Sequence, residues 1–98
     1  MQVFEKNDNP ISRYRRVIDS IDDKILNLLA ERFLTVREIG KYKKEHNISI
    51  VDEKRIKEVM AKAKAAAIKN GFEDNLFNDI YETIIKSACI MESKLEEK

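Results

Sequence analysis

The sequence predicts an all-α protein: a three-helix protomer with one long N-terminal helix. The chain of 98 residues has two glycines, one proline and no tryptophan, and it is rich in Ala, Leu, Ile, Lys and Glu. Its apolar residues recur at steps of three and four over long stretches, which is the period of an amphipathic helix. Charged residues make up 38% of the chain, too many to bury, so much of every helix must face water.

The first predicted helix begins at Asn9-Pro10, a capping residue followed by proline at the first helical position. An apolar seam then repeats over about four heptads. Its positions are Tyr14, Ile18, Ile21, Ile25, Leu28, Arg32, Thr35, Ile39, Tyr42 and His46. Gly40 lies inside this helix at a cost of roughly 1 kcal/mol relative to Ala, and Asn47 is the predicted end.

Two shorter helices are predicted after an extended connection at residues 48–51. Asp52 is the expected N-cap of the second helix, and Asn70-Gly71 is its expected end. Its predicted buried face consists of Ile56, Val59 and Ala63. The third helix is predicted to start near residues 73–75. Its apolar stripe consists of Phe77, Tyr81, Ile84, Ile85, Ala88, Met91 and Leu95.

The length of the first helix predicts an intertwined homodimer. About 36 residues at 1.5 Å per residue give about 54 Å, whereas a compact domain of this size has a radius of gyration near 13 Å. The shorter helices cannot cover the whole seam, so part of it must pack against another chain. Residues 1–9 carry no periodic pattern and are expected to form a frayed tail, ahead of a single helical domain at residues 10–98.

Composition also bounds the location and the partners. The net charge of +1 argues against a nucleic-acid partner, and no apolar run is long enough to span a membrane. The opening residues are polar and charged and lack the apolar core of a signal peptide, and the lone Cys89 fits a reduced setting. We therefore expect a cytoplasmic protein. With His46 as the only histidine, no metal site is expected.

Four charged residues stand on helix faces where the pattern requires apolar ones: Arg32, Lys43, Arg55 and Glu92. Lys43 follows Arg32 by eleven residues, about three turns, so the two project in nearly the same direction roughly 16 Å apart. Each of these charges also has an ordinary structural explanation. Arg32 or Glu92 could form a buried salt bridge, the ammonium of Lys43 could reach solvent, and Arg55 could be a surface residue. Together, three cations and one carboxylate favour a pocket for an anionic ligand.

Arg15 adds a geometric argument. It precedes Lys43 by 28 residues, about 42 Å along one helix, so the two cannot share a small-molecule site within one chain. In an antiparallel dimer, Arg15 of one protomer can approach Arg32 and Lys43 of the other.

These positions give a resemblance to the all-helical chorismate mutases, which covers the chain from about Tyr14 to Met91. The stretch Arg15-Arg-Val-Ile-Asp-Ser-Ile-Asp-Asp-Lys-Ile-Leu-Asn-Leu-Leu-Ala-Glu-Arg32 resembles the family's opening motif of R-x-x-I-D-x-I-D, an apolar pair and a final Arg. Glu38-Ile-Gly-Lys-Tyr-Lys43 resembles its second motif, E-[IV]-[GA]-x-x-K.

The resemblance implies an enzyme, an isomerase without a cofactor, that rearranges the dianion chorismate to prephenate in the shikimate pathway to phenylalanine and tyrosine. It also implies a dimer in which Arg15 acts in trans and Arg32 in cis, each on a substrate carboxylate, while Lys43 donates to the ether oxygen. The other implied substrate-binding residues are Asp52, Arg55, Ala88 and Glu92, with Lys43, Glu92 and Arg32 as the catalytic ones.

The chain departs from the family at three positions. Ile56 stands where a Glu usually contacts the substrate hydroxyl, Ala88 where a small hydroxyl-bearing residue is common, and Glu92 where Gln is frequent. A glutamate can donate a hydrogen bond only when protonated, so we expect activity that falls as pH rises. Since the related isochorismate-pyruvate lyases also lack the acid at position 56, that reaction is an alternative. A helical interaction module without catalysis is another.

Overall fold

The computed structural model describes residues 9–96 and contains three α-helices: α1 (Pro10–Glu45), α2 (Glu53–Lys69) and α3 (Asn78–Glu96). It confirms the all-α prediction and the long first helix. The chain divides into two units: unit 1 ends at Leu34 and unit 2 begins at Thr35, so α1 contains residues of both. No helix among the described residues is long and apolar enough to cross a membrane.

The predicted N-caps of α1 and α2 are confirmed. Asn9 Oδ1 accepts a hydrogen bond from the Ser12 N–H at 2.9 Å, and Asp52 Oδ1 accepts one from the Arg55 N–H at 3.1 Å. Each bond satisfies a backbone donor that the first turn of a helix leaves without a partner. Apart from Asn9, the tail predicted at residues 1–9 lies outside the described residues.

Both α1 and α2 end at a residue with a left-handed backbone, at the positions predicted from the sequence, and α2 ends in a complete Schellman motif. The Ile48 N–H donates to the Lys43 carbonyl at 2.9 Å, and Asn47 has a left-handed φ of 57°. At the end of α2 the Phe72 N–H donates to the Ala67 carbonyl at 2.9 Å, and Gly71 has a φ of 80°. The left-handed residue turns the chain back so that carbonyls of the last turn are satisfied.

The start of α3 was predicted too early. Residues 74–77 form turns, with hydrogen bonds from Leu76 N–H to Glu73 C=O and from Asn78 N–H to Asn75 C=O, each 3.1 Å. These bonds span three residues, so the regular helix begins only at Asn78.

Unit 2 has a core of small apolar residues: Val36, Ala63, Ala67 and Ala88 are buried. The faces predicted for α2 and α3 are confirmed, since every position of both stripes is buried or half-buried. Small side chains at these contacts let the helix backbones approach closely.

The part of α1 in unit 2 packs through a different face from the predicted seam. Val36 and Gly40 are buried, whereas the seam residues Ile39 and Tyr42 are exposed by 46% and 56%. The predicted seam follows the large apolar side chains of α1, but α1 contacts α3 at Gly40, which has no side chain. A Cβ at Gly40 would lie 2.9 Å from Leu95 Cδ1 and 3.1 Å from Glu92 Cγ.

Candidate functional site

The candidate site in unit 2 is built around a largely buried ion pair between α1 and α3. Lys43 Nζ lies 3.1 Å from Glu92 Oε1, and the two side chains are only 16% and 7% exposed. The prediction that Glu92 occupies the buried face of the third helix is confirmed. Such a buried pair differs from a surface salt bridge, because the loss of either side chain leaves the other charge buried without compensation.

The carboxylate of Glu92 is incompletely satisfied. Oε1 is buried and has no hydrogen-bond partner in the described part of the chain. The ammonium of Lys43 is close enough for electrostatic attraction, but its direction does not meet the requirements of a hydrogen bond. Buried carboxylate oxygens nearly always have a donor, so Oε1 of Glu92 is an exception among the described residues.

The ammonium of Lys43 is held by the connection between α1 and α2. Nζ donates a hydrogen bond to the Ile50 carbonyl at 2.8 Å. A lysine ammonium has three N–H donors, so this bond and the approach to Glu92 leave one for a ligand. An open cavity of about 530 Å³ adjoins Lys43 at the end of α1. Its other lining residues are Lys44, Asn47, Ile48 and Ser49.

Asp52, Arg55 and Ala88 also belong to unit 2. Asp52 is the N-cap described above, which leaves its own backbone N–H outside α2. Arg55 is 67% exposed, with Nη1 3.4 Å from Glu58 Oε1, as expected for a surface arginine. Ala88 is buried one turn before Glu92.

Arg15 and Arg32 belong to unit 1. Arg15 is exposed and Arg32 is half-buried. Among residues 9–96 neither arginine forms an ion pair, so the salt bridge considered for Arg32 has no partner in this part of the chain.

Sequence reasoning missed three features of the site. The Ile50 carbonyl could not be identified because backbone acceptors leave no mark on side-chain patterns. Gly40 was treated as a tolerated cost, although its approach to Glu92 requires the absence of a Cβ. The bond from Lys44 Nζ to the Leu95 carbonyl, 2.9 Å, joins residues 51 positions apart.

Among the described residues, no group of three His, Cys, Asp or Glu could hold a metal ion.

Comparison with known families gives one match that covers most of the chain. Residues 14–93 match the family described as chorismate mutase type II. The match includes both proposed arginines of unit 1 and all the site residues of unit 2. No solved structure matches the chain significantly.

Several curated proteins are similar over most of this chain. A 4-amino-4-deoxychorismate mutase from Streptomyces pristinaespiralis is 28% identical over 88% of the chain and 67% of its own length. A chorismate mutase from Methanocaldococcus jannaschii is 27% identical, with 89% of each protein covered. A bifunctional chorismate mutase/prephenate dehydratase from Buchnera aphidicola is 31% identical over 92% of the chain but only 23% of its own length.

Proposed function

The chain belongs to the chorismate mutase type II family, and from that membership we propose that it converts chorismate to prephenate for phenylalanine and tyrosine biosynthesis. The family and the relatives make it an isomerase of the chorismate mutase class. The choice of chorismate as substrate, and the residues that act on it, are our proposal. We also infer a cytoplasmic location, because Cys89 is a free thiol suited to a reducing compartment.

The buried pair of Lys43 and Glu92 is the observation that carries this proposal. The rearrangement breaks a C–O bond and places negative charge on the ether oxygen in the transition state. A fixed ammonium with a free N–H can stabilise that charge where it develops. Lys43 meets this requirement because the Ile50 carbonyl already fixes its position, at 2.8 Å from Nζ. Glu92, when protonated, would donate a second hydrogen bond to the same oxygen.

Two arginines would bind the carboxylates of chorismate. We assign one carboxylate to Arg32 and the other to Arg15 of the partner subunit, each in a bidentate pair. The absence of an ion pair at either residue among the described residues supports this assignment. Holding both carboxylates would fix the flexible substrate in its reactive shape, which lowers the entropic part of the barrier.

The other family positions would complete the site. Arg55 would exchange its exposed contact with Glu58 for the substrate, and the backbone N–H of Asp52 would donate to it. Ala88, buried beside Glu92, would shape the apolar wall. The proposed rearrangement uses no cofactor or metal, because it needs neither a proton transfer nor a covalent intermediate.

A homodimer is part of the proposal because Arg15 must act in trans. Its support in unit 1 is a row of large apolar side chains that the single chain leaves exposed. They are Tyr14 (68%), Ile18 (52%), Ile21 (47%), Ile25 (47%) and Leu28 (62%). Exposed apolar rows of this kind usually mark a protein interface. A second copy of α1 would cover them and bring its own Arg15.

A second candidate substrate is 4-amino-4-deoxychorismate. Two of the similar proteins carry the name 4-amino-4-deoxychorismate mutase. Ile56, half-buried in unit 2, offers no polar atom to distinguish a hydroxyl from an amine on the substrate ring. A site without that contact would discriminate weakly between the two, since selectivity of this kind depends on a matched hydrogen bond.

One experiment compares the three substrates. Purified protein is incubated with chorismate, 4-amino-4-deoxychorismate or isochorismate, and the products are separated by chromatography. The proposal expects prephenate from chorismate and no pyruvate from isochorismate. Pyruvate as the main product would identify a lyase, and no turnover of any substrate would indicate an interaction module. The control is Lys43→Ala, which should abolish turnover of every substrate that the site accepts.

A further inference from the structure

The residue opposite Glu92 on α1 is Gly40, and it is buried. A Cβ at this position would lie 3.1 Å from Glu92 Cγ and 3.6 Å from Glu92 Cα. The same Cβ would lie 2.9 Å from Leu95 Cδ1. These two neighbours differ in kind. Leu95 Cδ1 is the end of a flexible side chain and can rotate away, whereas Glu92 Cγ carries the carboxylate, so moving it moves the charged group.

A glycine inside a long helix needs a reason, because Ala is the better helix former at such a position. The φ of Gly40 is not in the left-handed region. Backbone conformation therefore does not explain the glycine. The missing Cβ instead leaves space for α3 to approach α1 at the level of Glu92. Lys43 follows three residues later on the same side of α1 and meets Glu92 Oε1 at 3.1 Å.

We propose that Gly40 is a positioning residue, whose lack of a side chain sets the place of the Glu92 carboxylate relative to the Lys43 ammonium. This inference rests on the proposed function. Gly40 itself offers no group to the substrate. It acts through Glu92, because a Cβ at position 40 would require Glu92 Cγ, which carries the carboxylate, to move by a few tenths of an ångström.

The first test is Gly40→Ala, assayed for kcat and KM with chorismate. A small displacement of a group that acts on the transition state should lower kcat about tenfold and change KM less than about twofold. Circular dichroism should show an unchanged helix content. An unchanged kcat would overturn the proposal, and so would a loss confined to KM.

A second pair of variants separates Glu92 from Leu95. Leu95→Ala alone removes the 2.9 Å neighbour without touching Glu92 and should keep kcat within about twofold of wild type. Gly40→Ala combined with Leu95→Ala has room to fold but retains the clash at Glu92, so it should keep the tenfold loss. Full recovery of kcat in the double variant would show that Gly40 acts through packing on Leu95, contrary to the proposal.

Crystal structures of wild type and Gly40→Ala give a readout that does not depend on turnover. The separation of Lys43 Nζ and Glu92 Oε1 should exceed the 3.1 Å of the parent chain. An unchanged separation would overturn the role of Gly40. If the wild type fails to convert chorismate, the proposed function fails, while this comparison still tests what Gly40 does to Glu92.

Discussion

Lys43 and Glu92 meet across the contact between α1 and α3, with 3.1 Å between Nζ and Oε1 and little of either side chain exposed. Removing one partner of a buried pair leaves the other charge uncompensated, which costs about 3–5 kcal/mol in typical cases. The pair therefore has a structural role besides the proposed chemical one. Variants at these positions need measurements of folding and of turnover together.

Replacement of Lys43 tests the donor to the ether oxygen. Lys43→Met keeps the length of the side chain and removes the charge, so kcat should fall about 100- to 1,000-fold, or about 3–4 kcal/mol of barrier. The matched control is Lys41→Met, since Lys41 is exposed and forms an ion pair with Glu38 at 3.1 Å. The kcat values of the two variants are compared by steady-state kinetics after both have been shown to fold. Equal activity of the two would rule out the role of Lys43.

Replacement of Glu92 tests the pH dependence. A carboxyl group donates to the ether oxygen only in its protonated form, so wild-type kcat should fall as pH rises. Glu92→Gln donates an N–H at any pH, so its profile should be flat across the same range. Rates measured from pH 5 to 9 for both proteins provide the comparison. A wild-type rate that does not change with pH would discard the proposed donation.

Arg32 separates an enzyme from a helical interaction module. Arg32→Ala removes a half-buried cation that has no ion pair among the described residues, so folding should be unaffected or slightly stabilised. Turnover should fall at least 100-fold, because the variant cannot hold one substrate carboxylate. Arg37→Ala, an exposed position on the same helix, serves as the control. Full activity of Arg32→Ala would contradict the assignment.

Asp52 tests the cap of α2. Asp52→Ala removes the acceptor of the 3.1 Å bond from the Arg55 N–H and should lower the free energy of unfolding by about 1 kcal/mol. Asp52→Asn retains a capping oxygen and should cost only a few tenths. Urea unfolding at one fixed protein concentration measures both, because the stability of a dimer depends on concentration. Equal losses for the two variants would show that the cap contributes little.

Much of this fold could be predicted from the sequence because its signals are local. Asn9 and Asp52 cap their helices where the residue type requires it, and Gly71 adopts the left-handed backbone expected of it. The early start assigned to α3 arose because the turns at residues 74–77 carry the same apolar spacing as a helix.

The site was predicted less completely, because its geometry depends on contacts between distant parts of the chain. The burial of Glu92 followed from its place in the stripe of the third helix. The bond from Lys43 to the Ile50 carbonyl and the approach of Gly40 to Glu92 did not, since neither produces a periodic pattern. The predicted seam of α1 consists mainly of large apolar residues, whereas α1 packs on α3 through another face, at Gly40.

Mixing two inactive variants tests most directly whether two chains share one site. Arg15→Ala and Lys43→Ala homodimers should each be nearly inactive, while a heterodimer has one site with an intact Lys43 and an intact Arg15 of the other subunit. Unfolding an equal mixture and refolding it together makes half of the dimers heterodimers, so about a quarter of wild-type activity should return. A mixture no more active than its separate components, or a fully active Arg15→Ala protein, would contradict the shared site.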